Sequence, residues 1–214
     1  MSTELRGLPF KLCSLSSLIA AISSTASAST TIGSLPGGPG AVATAEDIGQ
    51  TFVVPTDGDN AFSNFTAYLG GAAGDITFTT SLYQFNGSQV VGPALYTSAP
   101  QEAVENDFNA AFSFSPVTPI PLTAGGTYIF TFHQSAAVPT GNIQWTDSTN
   151  YPAGQIMQTG GSPPYSGDTW LAYSVTSPLD IAFSATFVPE PAGLSGLFVA
   201  WALGRRCRRR LQPS

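Results

Sequence analysis

The sequence predicts an all-β chain: an antiparallel β-sandwich, jelly-roll-like, with about nine strands. From Gln50 onward, short apolar runs alternate with turn residues, and several runs show the period of two that is typical of a half-buried strand. Asn86-Gly87 stands between two such runs and indicates a hairpin. Aromatic residues reach 11% while charged residues are only 9%, and no window has the periodicity of an amphipathic helix.

The predicted strands follow one another along residues 50–187, the expected sandwich domain. Alternation is clearest in Tyr128–Phe132 and in Ile181–Phe187, where every second residue is apolar. The candidate strands are Gln50–Val54, Ala61–Leu69, Ile76–Phe85, Gln89–Tyr96, Phe108–Phe114, Tyr128–His133, Asn142–Trp145, Trp170–Ser174 and Ile181–Phe187.

The N-terminus has the features of a secretory signal peptide, for which we expect a helix. Arg6 and Lys11 precede an apolar run from Leu12 to Ile22. Ala26-Ser27-Ala28 follows the run and fits the small-residue pattern of a cleavage site. The run of about 11 residues is too short to anchor the chain across a bilayer. We therefore expect cleavage after Ala28, which removes residues 1–28. Residues 29–49 are rich in Gly and Pro and are expected to form a loose lead-in.

The C-terminus, residues 188–214, has three parts. Val188, Pro189, Glu190 and Pro191 predict an extended hinge, because two prolines around a glutamate fit neither a central strand nor a helix interior. The apolar segment 192–203 predicts a helix of about 18 Å, shorter than the ~30 Å hydrocarbon core, so we expect only a transient span of the inner membrane. The arginines that follow are expected to stay in the cytoplasm. They are Arg205, Arg206, Arg208, Arg209 and Arg210.

This three-part tail resembles the PEP-CTERM sorting signal of Gram-negative bacteria. Proteins of that family are substrates of exosortases, membrane cysteine proteases that cut near the Pro-Glu-Pro motif. The resemblance covers residues 188–210. It implies export through the inner membrane, processing by an exosortase-type membrane protease, and sorting to the cell surface or to an exopolysaccharide matrix.

The middle of the chain resembles the β-sandwich domains called choice-of-anchor domains, which occur with PEP-CTERM or other anchors. The segments that carry this resemblance are Gln50–Val54, Leu122–Tyr128 and Asp180–Phe183. That family has no assigned chemistry, so the resemblance implies no catalytic residues.

The charge distribution separates the ends of the chain from the body. No Lys or Arg lies between Lys11 and Arg205, whereas residues 29–187 contain eleven Asp and Glu, a formal charge of −11. Such a body is expected to repel nucleic acid. Cys13 and Cys207 lie in the two end segments, so the processed domain would have no internal disulfide.

Candidate catalytic groups are few. His133 is the only histidine, and no G-x-S-x-G nucleophile elbow is present, so we expect a strand-end histidine and no triad. Two groups of carboxylates leave a glycoside hydrolase open as an alternative, although solvated loop charges are the simpler interpretation. They are Asp57 with Asp59, and Glu102, Glu105 and Asp107. Asp57 and Asp59 form an oxygen-rich loop that leaves a calcium site open, against an ordinary turn.

Four aromatic residues lie among Pro, Gly and polar residues of segment 145–170. Trp145, Tyr151, Tyr165 and Trp170 would contact glycans if they formed one exposed face, or would complete the end of the core if buried. The sequence thus predicts a non-catalytic secreted protein with a structural or adhesive role, with a carbohydrate-binding module as the alternative.

Overall fold

The computed structural model describes residues 28–34, 36, 38–42, 47–105, 107, 110–134, 142–148, 151–173 and 179–190, with the backbone alone for 38–42 and 146–148. This part of the chain consists of β-strands and connecting loops, without a helix. In chain order the strands are β1 (Thr30–Ser34), β2 (Gly38–Val42), β3 (Asp47–Val53), β4 (Ala61–Ala72), β5 (Ile76–Phe85), β6 (Val90–Thr97), β7 (Gln101–Ala103), β8 (Ala110–Phe114), β9 (Ile120–Pro121), β10 (Thr127–Gln134), β11 (Asn142–Ser148), β12 (Ile156–Thr159), β13 (Leu171–Ala172), β14 (Asp180–Ile181) and β15 (Phe183–Val188).

These strands form two antiparallel sheets, as expected for a β-sandwich. In the first sheet, β4 is the central strand: β15 and β11 pair along one edge, β8 and β9 pair along the other, and β1 pairs with β15. Strands β2 and β14 pair with β11. The second sheet has the order β13-β12-β3-β10-β5-β6, with β7 also beside β5.

The main core lies between the two sheets and is rich in phenylalanine. Phe65 of β4 stacks on Phe130 of β10 with ring centroids 4.1 Å apart, and on Phe183 of β15 at 5.2 Å. All three rings are at most 1% exposed. Because successive side chains of a strand point to opposite faces, the alternating apolar residues of β10 and β15 all reach this core.

A second apolar cluster covers the outer face of the second sheet. Ile129 lies between two residues of the main core and therefore points away from it, where it packs with Met157, Tyr165 and Trp170. The last two belong to the loop between β12 and β13. This loop therefore acts as a cover on a sheet face that would otherwise meet solvent.

The nine predicted strands are all present, with ends shifted by a few residues. The predicted strand Ile181–Phe187 is divided at Ala182 between β14 and β15. Five further strands were not predicted: β1, β2, β7, β9 and β12. They have two to five residues each. Runs this short carry too little alternation to be recognised, and they form because an adjacent strand offers unpaired backbone groups.

The lead-in differs most from expectation. Residues 30–34, predicted to be loose, pair along their whole length with β15, from Thr30 opposite Phe187 to Ser34 opposite Phe183. The Thr-Thr-Ile sequence favours an extended backbone. Gly33 allows close approach, because a Cβ at this position would lie 2.0 Å from the carbonyl oxygen of Phe183.

The Asn86-Gly87 turn is confirmed. The side chain of Asn86 accepts hydrogen bonds from the backbone N–H groups of Ser88 and Gln89, and Gly87 has a φ of 102° that favours glycine. The expected signal helix and the expected C-terminal apolar helix lie outside the described residues.

Candidate functional site

A polar cluster on the outer face of the second sheet joins three segments that are distant in sequence. Asp47, the first residue of β3, is 7% exposed. Its Oδ2 accepts a hydrogen bond from Tyr165 Oη at 2.5 Å and lies 2.7 Å from Nδ1 of His133 in β10. The single histidine is therefore a partly exposed strand residue held by a buried carboxylate.

The protonation of this cluster follows from its burial. Burial raises the pKa of Asp47 above its ordinary value and outweighs the hydrogen bonds from Tyr165 and His133, which lower it. Burial, together with the charge of Asp47, also raises the pKa of Tyr165. Tyr165 consequently remains the hydrogen-bond donor, and the cluster ties the covering loop to the sheet.

The conformation of the covering loop places Tyr165 inward. Tyr165 has a φ of 57°, an unusual value for a residue with a large side chain. Its ring packs edge-on against Trp170 at 5.1 Å and Tyr83 at 5.7 Å. The indole Nε1–H of Trp170 is buried and has no hydrogen-bond partner among the described residues.

The structure does not bring the four candidate glycan-contact residues onto one face. Tyr165 and Trp170 are buried in the outer cluster, whereas Trp145 is buried in the main core and packs edge-on against Tyr173 at 4.9 Å. Tyr151 is half-buried, and its hydroxyl oxygen accepts a hydrogen bond from the backbone N–H of Val53 at 3.0 Å. The glycan-contact role stays a prediction, and this burial favours the alternative that the rings complete the two cores.

The candidate calcium residues lie in the loop between β3 and β4. The hydroxyl of Thr30 is 2.8 Å from Oδ2 of Asp57 and 2.9 Å from Oδ2 of Asp59. The hydrogen bond from Thr30 lowers the pKa of Asp57, as does one from the backbone N–H of Asp59. Within the described residues, no group of three or more His, Cys, Asp or Glu side chains is close enough to hold a metal ion. Calcium binding stays a prediction.

Of the carboxylates considered for glycoside hydrolysis, Asp57 and Asp59 lie in the loop just described, and the other three are exposed. Glu102, at the centre of β7, and Glu105 and Asp107, in the segment that follows, all face solvent. The backbone N–H of Glu105 donates to Asp75 at 2.8 Å. Their setting fits the interpretation of solvated charges.

A second buried carboxylate joins the two sheets, and sequence reasoning missed it. Asp180 of β14 is 1% exposed and accepts a hydrogen bond from Nε2 of Gln50 in β3 at 2.8 Å. Gln50 Oε1 in turn accepts from the backbone N–H of Ile181 at 2.8 Å. Burial raises the pKa of Asp180 from 3.8 to about 6. One signal was present: Gln50 stands between Ile48 and Phe52 in a strand whose alternation directs all three into the core.

The start of the predicted sorting motif lies at the end of the sandwich. Strand β15 ends at Val188, which pairs with Ala61 at the start of β4. Pro189 follows, and the exposed Glu190 accepts a hydrogen bond through Oε1 from Nδ2 of Asn60 at 2.9 Å. Pro191 and the five arginines lie outside the described residues, as does Ala26. Ala28 is exposed, two residues before β1.

Among the residues that the structure describes, no helix combines the length and the hydrophobicity required to cross a membrane. Comparison of the chain with known proteins gave no match to a protein-family model and no match to a curated protein.

Proposed function

We propose that this chain is a non-catalytic secreted protein that an exosortase-type membrane protease sorts to the cell surface or exopolysaccharide matrix of a Gram-negative bacterium. In this proposal the sandwich, with the connectivity of a jelly roll, is the exported body and has a structural or adhesive role. Residues 1–28 direct export, and residues 188–214 direct sorting, with the apolar segment crossing the inner membrane transiently.

The observation that carries the proposal is the combination at the C-terminus of a Pro-Glu-Pro motif, an apolar segment and an arginine cluster. The position of the motif supports it. Strand β15 ends at Val188, so the motif begins where the domain ends, and Glu190 is exposed. Removal of the residues beyond Glu190 would leave both sheets and the main core intact.

The N-terminal end of the sandwich supports the same proposal. Strand β1 begins at Thr30, so cleavage after Ala28 would leave every described strand complete. The exported body would then contain eleven acids and no Lys or Arg. An acidic surface of this kind favours solubility and disfavours adhesion to anionic lipid or nucleic acid.

Mass spectrometry of the protein from a host that contains an exosortase tests the proposal. We expect a mature chain that begins at Ser29 and lacks the arginine cluster, because hydrolysis of one peptide bond near the motif consumes one water and releases the tail. The matched control is the same host with the exosortase gene deleted, where the tail should remain. An intact C-terminus in the exosortase-containing host would overturn the proposal.

A further inference from the structure

The side chain of Asn60 is fixed in position before it reaches the sorting motif. Asn60 precedes β4, and its backbone carbonyl accepts a hydrogen bond from the N–H of Leu122 at 3.0 Å. Its Nδ2 donates back to the carbonyl of Leu122 at 3.0 Å. Leu122 directly follows β9, which pairs with β4, so two connected backbone segments orient the amide.

The same Nδ2 donates to Oε1 of Glu190 at 2.9 Å. An amide group carries two N–H donors, so the contacts with Leu122 and Glu190 can be made together. Glu190 is an exposed carboxylate two residues after the end of β15, and the body contains no Lys or Arg to pair with it. A fixed neutral amide is the partner that the described structure gives to Glu190.

We propose that Asn60 docks Glu190 on the sandwich and thereby controls how readily the sorting motif is presented to its protease. The inference rests on the proposed function, since it concerns the regulation of that same motif. In the docked state, residues 188–190 belong to the folded domain, so the first half of the motif is held against the sandwich. Release of the Asn60 contact exposes the first half of the motif.

The strand before the motif limits how far release can extend. Phe187 is fully buried, with its ring 6.0 Å from that of Phe52 and 6.2 Å from that of Phe62. Detaching Phe187 would open the main core, whereas detaching residues 188–190 breaks the pairing of Val188 with Ala61 and the contact of Glu190 with Asn60 and leaves Phe187 in place. Asn60 is thus a positioning residue at the boundary between the stable domain and the processed tail.

The full chain, followed by pulse-chase in a host that contains an exosortase, tests this proposal. Asn60→Ala removes the donor, and we expect the tail to be released about fivefold faster, the factor that corresponds to ~1 kcal/mol for one exposed hydrogen bond. Asn64→Ala is the matched control. Asn64 lies in β4, four residues after Asn60, and its Nδ2 donates to Ser115 at 2.9 Å rather than to Glu190. The tail of the Asn64→Ala variant should be released at the same rate as that of the original chain.

A second readout does not depend on the protease. In protein isolated from a host without exosortase, amide hydrogen exchange of Val188 and Glu190, the members of 188–190 that carry an N–H, should accelerate in Asn60→Ala and remain unchanged in Asn64→Ala. Asn60→Asp retains the shape of the side chain and places a carboxylate against Glu190, so it should act in the same direction if the alanine variant fails to fold.

The two proposals fail in different ways. If the original chain keeps its tail in the exosortase-containing host, the proposed function is overturned, and hydrogen exchange alone decides the docking. If the original chain is processed but Asn60→Ala is processed at the rate of Asn64→Ala or more slowly, the docking proposal is overturned. Equal exchange at residues 188–190 in the two variants would also overturn it.

Discussion

Replacement of Asp180 by asparagine should make the protein more stable at neutral pH and less stable in mild acid. Asp180 is buried between the sheets, where it accepts hydrogen bonds from the Gln50 side chain at 2.8 Å and from the backbone N–H of Tyr151 at 3.3 Å. Both donors are neutral, and no Lys or Arg occurs between Lys11 and Arg205. The ionised carboxylate therefore has no cation from that part of the chain to offset its burial.

The magnitude follows from the pKa of Asp180, which burial raises from 3.8 to about 6. As pH rises, the unfolded chain loses this proton near pH 4 while the folded chain keeps it until about pH 6, so the contribution of Asp180 to stability falls across this window and is constant above it. Each pKa unit corresponds to about 1.4 kcal/mol, which gives a loss of up to ~3 kcal/mol. Asparagine avoids this loss, but its amide N–H₂ turns a donor toward the backbone N–H of Tyr151, at a cost of ~1 kcal/mol.

The expected result is a crossing of two pH profiles. At pH 8 the free energy of unfolding of Asp180→Asn should exceed that of the original protein by about 1–2 kcal/mol. At pH 4 it should be lower by about 1 kcal/mol, since the carboxyl group is then neutral in the folded protein. Urea unfolding, followed by tryptophan fluorescence from pH 4 to pH 8, measures both values. Glu102→Gln, at an exposed carboxylate of β7, is the control, and its free energy of unfolding should follow the same pH profile as that of the original protein.

An Asp180→Asn profile that runs parallel to the original would contradict the argument. Greater destabilisation at pH 8 than at pH 4 would mean that the hydrogen bonds of Asp180 outweigh its burial, so that the carboxylate is favoured in its charged form. The difference between variant and original isolates Asp180 from Asp47, whose pKa burial also raises, and from Asp57, whose pKa is lowered.

Three further substitutions test the packing of the two clusters, each by urea unfolding. Tyr165→Phe keeps the ring but leaves Asp47 without its 2.5 Å donor, so it should destabilise by about 1–3 kcal/mol; an unchanged midpoint would mean that the covering loop does not depend on this bond. Trp170→Phe removes a buried N–H that has no described partner, so it should cost under about 1 kcal/mol despite the smaller ring. A cost above about 3 kcal/mol would indicate that this N–H does have a hydrogen-bond partner. Phe65→Ala removes the ring between Phe130 and Phe183 and should cost about 3–5 kcal/mol, whereas a cost below 1 would place Phe65 outside the core.

The fold class was predictable because the longest strands carry strong local signals. The alternation of apolar and polar residues in β10 and β15 is visible in consecutive residues, and the turn is indicated by the two residues Asn86 and Gly87. Strand β1 shows the limit. Its partner, β15, lies about 150 residues away in the sequence, and no local pattern in a Gly/Pro-rich segment indicates that pairing.

The buried polar groups were less predictable for the same reason. Asp47 meets His133 and Tyr165 only because β3, β10 and the loop after β12 converge, and the separations in sequence are 86 and 118 residues. Composition showed that no Lys or Arg of the body could pair with these acids, but it does not say which of the eleven acids are buried on folding. The aromatic residues of segment 145–170 were recognised as a group, yet in the structure some pack in the main core and others in the outer cluster.

The absence of Lys and Arg from the body explains the kind of partners that the buried acids have. Asp47 is held by a tyrosine and a histidine, Asp59 by a threonine, and Asp180 by a glutamine, where many proteins would use an arginine. Hydrogen bonds from these donors offset burial only in part, which is why the pKa values of Asp47 and Asp180 are raised. The body thus combines two buried acids that favour the neutral form, Asp47 and Asp180, with surface acids that repel one another. As pH falls toward 4, the contributions of Asp47 and Asp180 to stability rise because their pKa values are raised, whereas the contribution of Asp57, whose pKa is lowered, falls.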